Sequence, residues 1–428
     1  MSRVTIQNPL DLLTFLRFDI PAKTLYARHK EKKVEEVWAK KVYEHHLDVW
    51  GGFTERTPAK NGIQDFYRSY HAILKSIKST GFNEDESYIP VLEDMSLLNG
   101  SHRVAAAIQY NKPVVCQVSS LTAGQPECTS MYFQNKKDIV STGLLENVAD
   151  SMALEYVRLK KNTQIATAYQ HTFSNADVIG SVFKKYGIKI IYSKNITLTH
   201  NGQMNYMLAL YGDEEWMEGS KNTGFPGAVS QASYNFSEGP CIKAILIEHA
   251  DPGIITEAKL EIRYLIGKGK GSMHTTDNRR ETWRNACICF HTPTLDYINK
   301  CFIGAFHESA FKQFIIETKK LTNHSKVDIE NFCVGGAAPL MAYGKRDCRD
   351  FDILHLPSQN KINFTETVSS HNSYINYYGD TLEELIFNPK KYFYIDGMKF
   401  ISLECLNKMK SIRGEEKDYR DIKLIESC

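Results

Sequence analysis

The residues most able to do chemistry lie in the stretch CVGGAAPLMAYGKRDCRDFDILHL, Cys333 to Leu356. Asp350 and Asp352 are two apart in a run that reads as a strand. Period-2 alternation puts both carboxylates on one face and Phe351 and Ile353 on the other. Neighbouring carboxylates repel, and a divalent cation relieves this. Oxygen ligands of this kind suit Mg2+, which is readily shared with substrate phosphates. Gly335-Gly336 falls between a short strand, Phe332-Cys333-Val334, and a helix over Ala337 to Tyr343. Glycine lets a phosphate approach the backbone, and a helix N-terminus offers N–H donors. The two halves could hold Mg2+ and an NTP substrate for in-line displacement, with Asp350 and Asp352 as metal ligands and catalytic carboxylates. Arg346 and Arg349 either clamp phosphate or are solvated loop charges. Lys417 either reaches the triphosphate as a point charge or pairs with Asp421 four residues on along a helix.

A second constellation is Leu97 to Ala107, LLNGSHRVAAA, read as strand, tight turn and helix. Gly100 supplies the turn and Ser101 a suitable N-cap. His102 and Arg103 then fall in the first helical turn, where cations are unfavourable unless an anion neutralises them. The placement predicts a phosphate site. Glu93 or Asp94 upstream either serves as a general base for a substrate hydroxyl or is an ordinary acidic turn residue. A third stretch, Lys268 to Asp277, sets His274 in a polar loop before a helix beginning near Arg279.

The elements that must position these groups form three blocks, at 1–120, 131–320 and 321–428. In the first, Val34, Val37, Trp38 and Val42 repeat at helical spacing, as do Ile63, Phe66, Tyr67, Tyr70, Leu74 and Ile77, the latter helix ending at Gly81. Tyr88–Leu92 and Val114–Val118 read as strands, and Thr122–Ser130 as a connector. In the second, Val140–Lys161 reads as helix. Ile188–Ser193, Met204–Tyr211 and Cys241–Glu248 read as strands, and Arg279–Phe290 and Phe302–Thr318 as helices. In the third, Tyr392–Leu403 reads as a hairpin about Asp396-Gly397, followed by a helix carrying Leu403, Leu406, Met409 and Ile412 inward.

Composition narrows the class. In 428 residues, 42% are hydrophobic and 24% charged, as in a globular protein, and about three domains are expected. Lys plus Arg is 52 and Asp plus Glu is 50, a formal charge of +2. A nucleic-acid coat usually carries a large basic excess, so nucleic acid is an unlikely partner and a nucleotide with a small-molecule substrate a better one. No run is long enough for a membrane-spanning helix, and no secretory h-region or C-terminal prenylation box is present. The ten Cys lack C-x-x-C pairs, as expected of free thiols in a reducing cytoplasm.

Gly335, Gly336, Asp350 and Asp352 resemble the G-G/S … D-x-D signature of the nucleotidyltransferase fold of DNA polymerase beta type, over roughly the last 105 residues. Lys417, Asp418 and Asp421 are similar to a K-D-x-x-D ending found in uncharacterised bacterial members. The resemblance implies a third carboxylate on a later strand, for which Asp396 and Glu366 are the candidates. Gly100, Ser101, His102 and Arg103 resemble the G-x-H-R motif of the ParB/sulfiredoxin-like fold, which implies nucleotide-phosphate binding. Ser101 stands where sulfiredoxin has its reactive Cys, which puts thiol chemistry in doubt. The whole first block, with Arg17 to Lys23, looks similar to ParB-like proteins of bacterial surface polysaccharide loci. Gly239-Pro240, Ile262-Arg263 and His274-x-x-Asp277 before a helix ending in Phe290 resemble nucleoside diphosphate kinase. That resemblance implies a ferredoxin-like middle domain, with His274 as phosphorylated nucleophile and Arg263 as phosphate ligand. The family's early Lys-Pro is absent, and Gly271 stands where it has Asn.

The expected fold is therefore α+β and multidomain. The expected activity is a Mg-dependent nucleotidyl or phosphoryl transfer to a small phosphorylated precursor. The alternatives are a nucleotide-regulated nucleic-acid-binding protein and a toxin-like nucleotidyltransferase that modifies RNA or protein.

Overall fold

The computed structural model describes residues 3–427 apart from 57, 84–86, 120–127, 137–141, 218, 220–222 and 358–361. The chain is α+β, with several small sheets. It divides into two compact units: Met1–Thr163 with Lys189–Tyr192 and Leu246–Glu248, and the remainder through Cys428.

The first unit is mainly helical. The helix Ile63–Thr80 ends at Gly81, whose φ of 79° suits glycine, and it buries Phe66, Tyr67, Tyr70, Leu74 and Ile77, as their spacing predicts. The helix expected from Val34 starts only at Ala39 and runs to Gly51. Val34 and Trp38 are nonetheless buried in the preceding turns. A three-stranded sheet has Val114–Val118 at its centre, antiparallel to Arg3–Ile6 and parallel to Ile89–Val91. The expected connector lies mostly outside the described residues, as does the start of the helix foreseen from Val140, which is described as Thr142–Leu159.

Two larger sheets follow along the chain. In the four-stranded one, Lys189–Thr197, Cys241–Glu248, Thr163–Tyr169 and Met273–Thr275 lie side by side in that order. Helices Ala176–Lys185 and Pro252–Ile266 link its first to second and third to fourth strands in chain order. Met204–Tyr211 is not a strand but part of the helix His200–Tyr211, started by Thr199, whose hydroxyl accepts from the Gly202 amide. Met204 through Leu210 are all buried, so no alternation marks the period, and a short all-apolar run fits either structure. The helix expected over Phe302–Thr318 begins at Ser309 and continues to His324.

The five-stranded sheet has the order Val368–Ser370, Phe351–His355, Phe332–Val334, Met398–Ile401, Tyr392–Ile395. The hairpin turns at Asp396-Gly397 with φ of 47° and 80°, the two left-handed residues such a turn needs. Helices Leu403–Arg413 and Glu416–Glu426 follow. The first buries Cys405, Leu406 and Met409, but Ile412, expected to point inward, is 53% exposed.

Candidate functional site at the Asp350–Asp352 strand end

Register fixes which groups meet. Phe332–Val334 pairs antiparallel with Phe351–His355, setting Val334 opposite Ile353. The end of one strand therefore delivers Gly335-Gly336 to the start of the other, where Asp350 and Asp352 stand. Phe351 and Ile353 are fully buried and the two aspartates are half-buried, so the alternation holds. Gly335 N–H donates to the Asp352 carbonyl at 2.7 Å. Gly336 has φ 59°, and a Cβ there would lie 2.8 Å from the Asp352 Cβ and closer still to Oδ2. The second glycine thus makes room for the Asp352 carboxylate itself.

The parallel strand Val368–Ser370 sets Ser369 opposite Asp352. Its hydroxyl donates to Asp352 Oδ1 at 3.2 Å, and His371 Nδ1 lies 3.5 Å from the same oxygen. His371 is buried, its Nε2 has no hydrogen-bond partner, and its ring stacks on Tyr374 with centroids 4.7 Å apart. Burial works to raise the Asp352 carboxyl. The His371 contact, the Ser369 bond and the charge of Arg413 outweigh it and hold Asp352 below the ordinary range. Asp350 moves the other way: burial, then the charge of Asp352, push it up against His371 and Arg349. The pair is thus strained electrostatically in the sense that a bound cation would relieve. Among the described residues no group of three or more His, Cys, Asp or Glu is placed to hold a metal ion, so a cation here would draw its remaining ligands from substrate and water.

The other sequence candidates in this block fall differently. Arg349 is exposed beside Asp350. Arg346 is committed elsewhere: its Nε and Nη2 hold Asp421 at 2.7 and 2.8 Å. Asp421 also takes Lys410 at 2.6 Å, while Asp418 takes Arg413 at 2.9 and 2.7 Å and Lys410 at 3.2 Å. The K-D-x-x-D carboxylates therefore tie two helices together. Lys417 is 67% exposed and pairs with Glu415 at 2.8 Å, not with Asp421. Asp396 precedes the strand Met398–Ile401, which runs parallel to Phe332–Val334 with Phe400 opposite Val334. It thus sits at the sheet end away from Gly335, clamped by Arg280 at 3.0 and 3.1 Å and by Lys319 at 2.5 Å. Glu366 is exposed in the turn before Val368.

In the first unit, Gly100 is itself the N-cap, with φ 93°, and Ser101 is the first helical residue and buried. His102 is not a cation at neutral pH: burial, then the charges of Lys23, Lys60 and His46, push it well below its ordinary value. Its Nε2 meets the Tyr43 hydroxyl at 2.9 Å. Arg103 turns back, donating to the Tyr88 carbonyl at 2.8 Å and filling the space beneath Gly100. Nearby Lys23 and Arg17 share Asp19 at 2.6 and 2.8 Å, all three buried. Glu93 is exposed at the tip of a turn whose base joins Leu92 N–H to the Ser96 carbonyl.

In the second unit, both nitrogens of buried His274 are engaged: Nδ1 with the Tyr211 hydroxyl at 3.0 Å and Nε2 with Glu281 at 2.9 Å. Neither is free to attack a phosphorus. Arg263 spends Nε and Nη2 on the Met273 carbonyl at 3.0 and 2.8 Å, bracing the His274 strand.

Sequence reading found the carboxylates and glycines but not Ser369, His371 or Arg413. Ser369 and His371 join Asp352 only through a parallel pairing whose register the sequence does not announce. Compared with protein-family models, curated proteins and solved structures, the chain finds no match.

Proposed function

We propose that this protein binds a Mg2+–nucleoside triphosphate at the Asp350–Asp352 strand end and transfers its nucleotidyl group to a small phosphorylated acceptor. The observation that carries this reading is the strand register that sets Gly335-Gly336 beside two neighbouring carboxylates, with a glycine at 336 that admits Asp352. Asp350 and Asp352 would hold Mg2+, which when bound supplies positive charge to the triphosphate. Ser369 and His371 orient Asp352, and exposed Arg349 is available to phosphate. The order of the four-stranded sheet, second–third–first–fourth with two connecting helices, supports a ferredoxin-like, nucleoside-diphosphate-kinase-like middle domain. The engaged nitrogens of His274 argue for that fold without the kinase's covalent step. A ParB-like first domain would have its phosphate site at the helix start at Ser101, where Lys23 and Lys60 are already paired with Asp19 and Glu55. The near-neutral charge, and reduced cysteines suited to a cytoplasmic enzyme, favour a small acceptor over a nucleic acid.

The test offers the four NTPs with candidate sugar-phosphate acceptors and measures pyrophosphate. Mg-dependent release is expected, falling at least about 100-fold in Asp352→Ala and unchanged in Glu366→Gln. No turnover that depends on Asp352 with any NTP would remove the transfer reading. A second reading is favoured by the lack, among the described residues, of a third carboxylate beside the pair. It is Mg–nucleotide binding without transfer, and it predicts Asp352-dependent equilibrium binding with no pyrophosphate.

A further inference from the structure

A separate cavity of about 260 Å3 lies in the second unit, walled by Arg280, Arg284, Lys312, His307, Asp213 and Asp396. It shares no residue with the Asp350–Asp352 site. Its polar wall is short of anions. Asp396 is already neutralised by Arg280 and Lys319. Among the described residues Arg284 pairs only with Asp213, at 3.4 Å, and Asp213 is 59% exposed. The Arg284 Nε is buried without a hydrogen-bond partner. Lys312 donates to His307 Nε2 at 3.1 Å, and among the described residues no carboxylate is within ion-pair distance of it. Burial, and then the charge of Lys312, lower His307 to about 4, so it accepts that bond as a neutral imidazole. Its ring is seated by Gly212, where a Cβ would meet Cε1 at 2.6 Å. A guanidinium with a free Nε and an ammonium with no carboxylate in ion-pair distance among the described residues thus border one space, and the charges of Asp213 and Asp396 offset only part of the burial that lowers Lys312.

The remaining wall is apolar: Leu208, Phe306, Ile315, Ile316 and Ile395. Ile316 is 45% exposed. A polyol would find few partners there, whereas a flat, weakly polar ring would cover these side chains. The volume is below the roughly 300 Å3 at which ligand cavities usually begin, which favours a monophosphate over a dinucleotide.

We propose that this cavity binds a nucleoside monophosphate, with the phosphate on Arg284 and Lys312 and the base against Phe306, Ile315 and Ile316. A phosphate accepts from a guanidinium fork and an ammonium together. The site needs no metal, which separates it experimentally from the carboxylate pair.

The test is calorimetric titration of the full-length protein with 5′-AMP, 5′-GMP, 5′-UMP and inorganic phosphate, all with EDTA present. Saturable binding of at least one nucleoside monophosphate is expected, at least tenfold tighter than inorganic phosphate. It should weaken at least tenfold in Lys312→Met and in Arg284→Gln and persist in Asp352→Asn. Lys312→Met guards against a folding defect in Arg284→Gln, and circular dichroism checks both. The proposal is overturned if no monophosphate binds, if well-folded Lys312→Met binds as the parent does, if inorganic phosphate binds equally well, or if binding needs Mg2+ and is lost in Asp352→Asn.

Discussion

Gly336 and Asp352 are coupled by space. An alanine at 336 keeps a left-handed φ of 59° only at a cost of about 1–2 kcal/mol, and its methyl collides with the carboxylate. Gly414 is a natural control: it has φ 66° but open space around its Cβ position. Gly414→Ala should therefore lower the urea midpoint by the backbone strain alone, and Gly336→Ala by more. Only Gly336→Ala should also displace Asp352 and lose nucleotide binding or turnover. Full function in Gly336→Ala would show that the Asp352 position does not matter. At this scale the sequence was most informative where chemistry is local: the Asp-x-Asp alternation and the glycine pair are read within one strand and one turn. It was least informative where a cation's partner comes from far along the chain. Arg346 next to the aspartates reads as either a phosphate clamp or a solvated loop charge, yet it holds Asp421, 75 residues on.

Among elements, the last two helices depend on a buried ionic cluster. Asp418 has no exposed side-chain surface and accepts from Arg413 and Lys410, and it closes a capping box with Glu415 at the start of Glu416–Glu426. Removing one partner of a buried pair leaves the other charges uncompensated, which typically costs about 3–5 kcal/mol. Asp418→Asn should therefore destabilise the second unit by about 3 kcal/mol in urea titration, and Lys417→Ala, at an exposed pair, by less than about 0.5 kcal/mol. Equal effects would mean that the cluster is not a tie. Arg413 also lies near Asp352, so Asp418→Asn should weaken nucleotide binding as well. Amphipathic and capped elements such as Ile63–Thr80 and the Asp396-Gly397 hairpin were legible because propensity and burial agree. Met204–Tyr211 is not legible as helix because burial of Met204 through Leu210 erases the helical period, and only the Thr199 cap marks the helix start.

Across the whole molecule, the formal charge of +2 conceals many charges turned inward. Arg17–Asp19–Lys23, Glu330–Lys399 and the Asp418–Asp421 cluster are buried, so these charges are compensated inside the fold. The same inward placement sets the response to acid. Burial holds His46 and His102 well below their ordinary value, His291 at about 3 and His307 at about 4. Each is neutral when folded and binds a proton more readily when unfolded. Its contribution is complete above about pH 6.5 and is lost as the pH falls towards the folded value. Asp19, Asp352, Asp418 (to about 2) and Asp421 are also lowered, burial being opposed in each by neighbouring cationic groups. Their contribution is lost only below about pH 4. Both sets act in the same direction but in successive windows. The urea midpoint should thus fall between about pH 6.5 and 4, by about 1–2 kcal/mol for each fully buried imidazole at pH 5, and fall again below pH 4. His291→Gln has nothing to protonate, so its loss between pH 7 and 5 should be smaller than the parent's by about that amount. A midpoint that stays level from pH 7 to 5, or a His291→Gln variant with the parent's acid slope, would mean that these imidazoles are not held neutral by the fold.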